Sequence, residues 1–343
     1  MRRILAARCQ EDRVKLVDFG RVAATTGKEA GSLARFREDS GPVSWHLGET
    51  VNVFPRRTQD FQDLKALVDR FVVPGHRPHP RPFRSNSKLL TLGSCFAEEI
   101  RDFLAEKQPA TQNIWVPSGL NNTYALRQFI EWCLTGNRSE DAFWYDQSGS
   151  GKPVKWTPSE EREGYRRTFE TAAGFVFTLG LAEVWADRHT GGVFWRGVPE
   201  GIFDSSRHVY RTTSVDENAD NLSRIVRLIH EHLGARDIVF TLSPVPLKAT
   251  FKDESCITAD CVSKSILRVA LDAVMARRLD RVHYWPSFEI VRWLGGHLPF
   301  AVYGTDDALS RHVSRRMVAL IIESFVESFF EAEPAAAEEG SSG

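Results

Sequence analysis

The stretch Lys88-Leu-Leu-Thr-Leu-Gly93-Ser94-Cys95-Phe96-Ala97 changes texture within ten residues. Its first half is an apolar run that stops at a glycine, which predicts a short strand buried on both faces. Immediately beyond, Phe96, Ile100, Phe103 and Leu104 recur at helical spacing. A buried strand running straight into a helix is the unit of a parallel α/β sheet.

The same grammar recurs downstream. Gly174–Leu179 and Asp237–Leu242 read as buried strands, and His283-Tyr284-Trp285 as a strand broken by Pro286. Leu222, Ile225, Val226, Ile229 and Leu233 form a helical stripe stopped by Gly234. Helices are also expected over 263–278 and from about Ser310 to Phe330. Alternating strands and helices predict a parallel sheet covered on both faces. The polar stretch from about Trp144 to Arg167 reads as an insertion or loop, and no internal repeat is visible.

Upstream, residues 1–84 read as an irregular extension rich in Arg, Gly and Pro. One helix is expected there, Gln59 to Phe71, followed by the run Pro74 to Pro82 as an extended connector. The expected organisation is an N-terminal extension (1–84), one α/β domain (85–330) and a tail (331–343) of Ala, Glu, Gly and Ser expected to be disordered.

The 343 residues, 42% hydrophobic, suffice for a large core. With 44 basic against 45 acidic residues the formal net charge is −1, which gives no field for holding a polyanion, so no nucleic-acid partner is expected. No run approaches the roughly 18 apolar residues of a membrane span. The apolar run in Met1–Cys9 is too short for a signal-peptide core, so a cytoplasmic location is expected. The five cysteines (Cys9, Cys95, Cys133, Cys256 and Cys261) are odd in number and widely spaced, with no C-x-x-C. Neither a disulfide framework nor a metal is expected, and no cofactor is implied.

Two roles fit the joint at Gly93-Ser94-Cys95-Phe96. Ser94 or Cys95 could cap the helix, with Glu98 supporting its first turn. Spacing alone favours that cap. Alternatively, a nucleophile here would sit at the carboxyl edge of a parallel sheet, over helix N–H groups that favour a thiolate and can hold an oxyanion. Glu98 and Glu99 oppose thiolate formation.

Other residues carry weaker signals. His312, just ahead of the apolar positions Val313, Met317, Leu320, Ile321 and Phe325, reads by spacing as a cap or surface residue opening the last helix. His283 reads as a core histidine, and His76 and His79 as solvated. Gly119, Asn121 and Asn122 read either as oxyanion donors or as a turn into a helix at Thr123. Gly180 could present its N–H to the site. Glu183 could bond substrate or Trp185, or be a loop acid. Lys248 and Lys264 read as surface charges. Trp185 and Trp195 could stack on sugars or belong to the core.

Gly93-Ser94-Cys95-Phe96-Ala97 resembles the five residues that name the GSCFA domain family. Further blocks resemble that family in order: Asn121–Gln128, Phe177–Trp185, Thr241–Pro246, Trp285–Ile290 and Arg311–Ser314. The resemblance spans about Phe83 to Phe325. The family is similar to the SGNH/GDSL hydrolase superfamily, which implies a three-layer α/β/α, flavodoxin-like core. It also implies ester chemistry, with a nucleophile after the first strand and a histidine near the C-terminus. Matching Gly-Ser-Cys-Phe to Gly-Asp-Ser-Leu places Cys95, rather than Ser94, at the nucleophile position. The usual Asp-x-x-His is absent: Leu309 stands three before His312, with Asp306 and Asp307 six and five before.

The resemblance therefore implies an acyl-ester enzyme, a carbohydrate or polysaccharide O-acyltransferase or an acyl esterase. Cys95 (or Ser94) attacks, and His312 removes its proton and later serves the leaving group or acceptor. Asp307 or Asp306 orients His312, unless the pair acts without a carboxylate. Oxyanion or substrate contacts come from Gly93, the N–H groups of Cys95 and Phe96, Asn122, Gly180 and Glu183. The partners are an ester or thioester acyl donor and a carbohydrate-like acceptor. The alternative is a non-catalytic glycan-binding or assembly protein on the same fold.

Overall fold

A computed structural model of the chain describes residues 34–38, 41–45, 52, 54–55, 58–107, 112–113, 120–138, 142–143, 145–146, 154–155, 159–195 and 197–331. The expected tail therefore falls outside the described residues, apart from Glu331. The chain divides into two units, Met1–Asp60 and Phe61–Gly343. The first contains an antiparallel pair, Ala34–Glu38 with Gly41–Trp45.

In the second unit, β1 (Leu89–Gly93), α2 (Cys95–Lys107), β2 (Gln112–Asn113) and α3 (Thr123–Thr135) follow α1 (Leu64–Phe71). Next come α4 (Ser159–Thr171), β3 (Gly174–Leu179), β4 (Glu183–Asp187), β5 (Val193–Phe194), β6 (His208–Thr212) and α5 (Val215–Leu233). The chain ends with β7 (Asp237–Leu242), α6 (Cys256–Ala276), β8 (Val282–Trp285), α7 (Ser287–Arg292) and α8 (Arg315–Phe329).

Five strands form an all-parallel sheet in the order β2-β1-β3-β7-β8. Counted among themselves they run 2-1-3-4-5, the flavodoxin-like order. β1 is interior, and its residues Leu89 to Leu92 are buried. Alternation along the strands splits the core. Leu90, Leu92, Phe175, Phe177 and Phe240 pack under α3, α5 and α6. Leu89, Val176 and Val239 pack under α1, α2 and α8 through Phe96, Ile100, Ile321 and Phe325. This is the expected three-layer α/β/α core. A smaller sheet, β6-β4-β5 with the strand Ala142–Phe143, branches off after β3.

Helix starts differ from the sequence reading where a polar cap stands. α1 begins at Leu64, because Asp63 accepts the Ala66 amide. α6 begins seven residues before Ser263, capped by Ser255. α8 begins at Arg315 instead of near Ser310, capped by Ser314. Ahead of it, Tyr303 and Val313 form an antiparallel bridge that holds the chain extended. Among the described residues no helix is long and apolar enough to cross a membrane.

Candidate active site

Gly93 ends β1 at φ +129°, a conformation essentially reserved for glycine. A β-carbon there would overlap the carbonyl oxygen of Thr178 on β3. The Ser94 amide donates to that carbonyl (3.0 Å) and to Thr178 Oγ1 (2.9 Å). Ser94 Oγ lies 3.1 Å from Thr178 Oγ1 and is buried. The joint therefore sits between β1 and β3, where strand order reverses and where open α/β sheets bind ligands. The backbone of Cys95 opens α2, while its side chain lies outside the described residues.

Hydrogen bonds run from this joint across the carboxyl edge of the sheet. The Ser243 amide, after β7, donates to the Leu179 carbonyl at 2.9 Å. Tyr303 Oη donates to Pro244 O at 3.0 Å, and Arg311 Nη1 to Pro246 O at 3.0 Å. These bonds hold the 303–314 loop over the edge, with His312 on it instead of on a helix start. His312 Nδ1 bonds Asp307 Oδ2 at 2.5 Å. With Nδ1–H donating, the lone pair of the ring is on Nε2, the arrangement a general base needs. The Leu309 amide and His312 hold the Asp307 carboxyl below the usual range. Asp306 has a different job: its Oδ2 accepts the Arg315 amide at 2.9 Å, at the start of α8.

His312, Asp307, Asp306, Arg315 and Val313 form one wall of a cavity of about 680 Å³, and Glu99, Asp102 and Phe103 of α2 form the other. Positions 95, 99, 102 and 103 share one face of α2 by helical periodicity. Burial pushes the Glu99 carboxyl up to about 7, opposed by the charge of His312 and reinforced by Asp307, Asp102 and Glu98. The structure therefore sets His312 and Asp307 across a cavity from the second and third turns of the helix that Cys95 opens.

The GSCFA family matches residues 88–325. The chain belongs to the GSCFA family. No curated protein matches it. Among solved structures, a Corynascus thermopiles (Myceliophthora fergusii) carbohydrate esterase family 2 enzyme plus carbohydrate binding domain is similar at 13% identity. The match covers 74% of this chain and 67% of that chain, with a TM-score of 0.36.

Other predicted site residues of this GSCFA domain are already engaged. The Gly180 amide donates to Asn121 O at 3.1 Å. Asn122 caps α3, accepting the Ala125 amide at 2.9 Å, and its Nδ2 donates to Trp195 O at 2.9 Å. Trp195 is a core residue, 2% exposed. Glu183 is buried, and its oxygens accept from Tyr210 Oη (2.6 Å) and Thr250 Oγ1 (3.2 Å). Around that pair Trp185, Tyr210, Phe203 and Phe251 cluster ring against ring, with Phe251 68% exposed. His76, expected from the sequence to be solvated and not a site residue, is instead half-buried and packs against Tyr284, with ring centroids 5.6 Å apart.

Two residues escaped the sequence reading. Lys264 is buried instead of lying on the surface, and its Nζ donates to Gly180 O at 2.6 Å. It belongs to a buried row on α6 with Asp260 and Ser263, which bond Leu247 N and Ala182 N. That i, i+3, i+4 spacing was a readable signal. Glu99 was read as a charge opposing a thiolate, yet it lines the cavity one turn from Cys95. Among the described residues, no three His, Cys, Asp or Glu side chains converge as a metal site.

Proposed function

We propose that this protein is an acyl-ester enzyme of the SGNH-like class, with Cys95 as nucleophile and His312 as base. The observation that carries the reading is the Asp307–His312 pair facing the helix that Cys95 opens. In the mechanism His312 Nε2 takes the thiol proton and sulfur attacks the acyl carbonyl. The first amides of α2 hold the tetrahedral oxyanion, since the Gly180 amide and the Asn122 side chain are engaged elsewhere. Ser94 serves as the anchor of the joint, because its hydroxyl is buried against Thr178.

The substrate side is carbohydrate-like, and the acyl group passes to a sugar hydroxyl or to water. The support is the ring cluster of half-buried Trp185 with exposed Phe203 and Phe251, since flat apolar faces beside polar groups suit sugar rings. The same cluster is what a non-catalytic glycan-binding protein would need, so the deciding experiment is chemical. The protein is incubated with short acyl thioesters and nitrophenyl esters, digested and weighed. An acyl adduct on the Ser94–Cys95 peptide is expected, lost in Cys95→Ala and slowed about 10²-fold or more in His312→Ala. Adducts confined to the exposed Cys261, or none at all, would favour the glycan-binding reading.

A further inference from the structure

We propose that Glu99 is a second proton-transfer residue of this cavity: it protonates the departing oxygen of the ester while His312 serves the nucleophile. The inference rests on the acyl-transfer reading above and adds to it. Its first ground is position. Glu99 lies one helical turn after Cys95, and neighbours at i, i+4 share a helix face. It faces His312 and Asp307 across the same cavity. The second ground is an unsatisfied atom: Glu99 Oε2 is sealed from solvent, and no described protein group hydrogen-bonds it. Buried carboxyl oxygens normally have partners, and an orphan on a side chain that lines a cavity calls for an explanation. A carboxyl that burial raises to about 7 exchanges its proton readily near neutral pH, and its protonated form can give that proton to a leaving group.

The proton inventory balances. In acylation, His312 takes the proton of the Cys95 thiol, the C–S bond forms, the ester C–O bond breaks, and Glu99 gives its proton to the departing oxygen. The site then holds an imidazolium facing a carboxylate, a favourable pair. In deacylation, water or an acceptor hydroxyl attacks the thioester carbonyl and Glu99 takes its proton. The C–S bond breaks, and the imidazolium returns a proton to sulfur. Both carriers end as they began. Asp102 and Glu98 on the same helix, and Asp307, Asp306 and Arg315 opposite, are the other charges facing or lining this space.

The test is leaving-group dependence, which a merely structural role would not change. Esters of one acyl group are compared, from 4-nitrophenyl, whose phenolate departs without a proton, to ethyl, whose alkoxide cannot. Glu99→Gln is expected to lower kcat/KM about threefold on the nitrophenyl ester and about 10²-fold or more on the ethyl ester. Glu99→Asp should fall between. Equal losses on both esters in folded Glu99→Gln, or no loss on the ethyl ester, would overturn the proposal. If instead Cys95→Ala and His312→Ala turn over both esters normally, the underlying site reading has failed.

Discussion

The end of β1 and the end of β3 meet at Gly93 and Thr178, so closely that a β-carbon on Gly93 would overlap the Thr178 carbonyl. The obstacle is backbone and cannot rotate away, and the φ of +129° adds strain for any other residue. Gly93→Ala is therefore expected to cost about 3 kcal/mol or more. The corresponding fall in Tm is about 6–12 °C. A thermal melt within 2 °C or so of the parent would refute the close approach.

Ser94 and Thr178 are tied by both backbone and hydroxyl. Removing one hydroxyl, as Ser94→Ala or Thr178→Val, should cost about 1 kcal/mol each. The double variant should cost less than the sum, because the two oxygens share one hydrogen bond. Acyl labelling of the 94–95 peptide should persist in Ser94→Ala. Loss of labelling in a stable Ser94→Ala protein would move the nucleophile from Cys95 to Ser94.

Lys264 acts from behind the joint. Gly180, whose carbonyl it holds, lies with its Cα facing Ser94, since a β-carbon there would come 3.2 Å from Ser94 Cβ. Lys264→Met keeps the apolar stem but leaves the Gly180 carbonyl short of a donor, at about 1–3 kcal/mol. Urea unfolding should show that loss, and turnover should fall with it as the joint loosens. An unchanged urea midpoint would mean that the contact contributes nothing.

The parallel core was legible because β1, β3 and β7 are buried on both faces and so read as unbroken apolar runs. The smaller sheet was not: β4 carries Glu183 and Asp187, buried but polar, so its apolar pattern is interrupted. The start of α8 was misplaced because the residues ahead of it are held extended by partners ten or more positions away, Tyr303 with Val313 and Val302 with Ser314. Lys264 lies on a polar i, i+3, i+4 row with Asp260 and Ser263, but spacing alone does not say which face of a helix is covered; its bond to the Gly180 carbonyl shows that this row faces inward. The pairing of Asp307 with His312 depends on a loop whose shape the spacing alone did not fix.

The exposed rings near Glu183 should matter for large substrates only. Phe251→Ala removes one face of the Trp185 and Tyr210 cluster. It should raise KM for an oligosaccharide ester or acceptor about fivefold, equivalent to about 1 kcal/mol of stacking. Turnover of a small nitrophenyl ester should hold, because the rings Phe251 packs against, Trp185 and Tyr210, carry no step of the chemistry. Equal KM effects on both substrates would remove the sugar-stacking role.

Glu99 gives the sharpest pH test, and it concerns stability. Its carboxyl is raised from 4.5 in the unfolded chain to about 7 in the fold. The folded state therefore binds the extra proton between those values, and stability falls as pH rises through them. Above about 7 the protein carries the full cost of a half-buried carboxylate, about 1–2 kcal/mol once solvent screening is allowed for. Glu99→Gln removes that cost. Relative to the parent, its urea midpoint should rise between pH 5 and pH 8, whatever constant offset the amide brings. A constant difference across that range would mean that Glu99 ionises normally. A protein stabilised at pH 8 by the same substitution that slows ethyl ester turnover would show that the buried carboxyl is kept against stability, which a purely structural acid would not be.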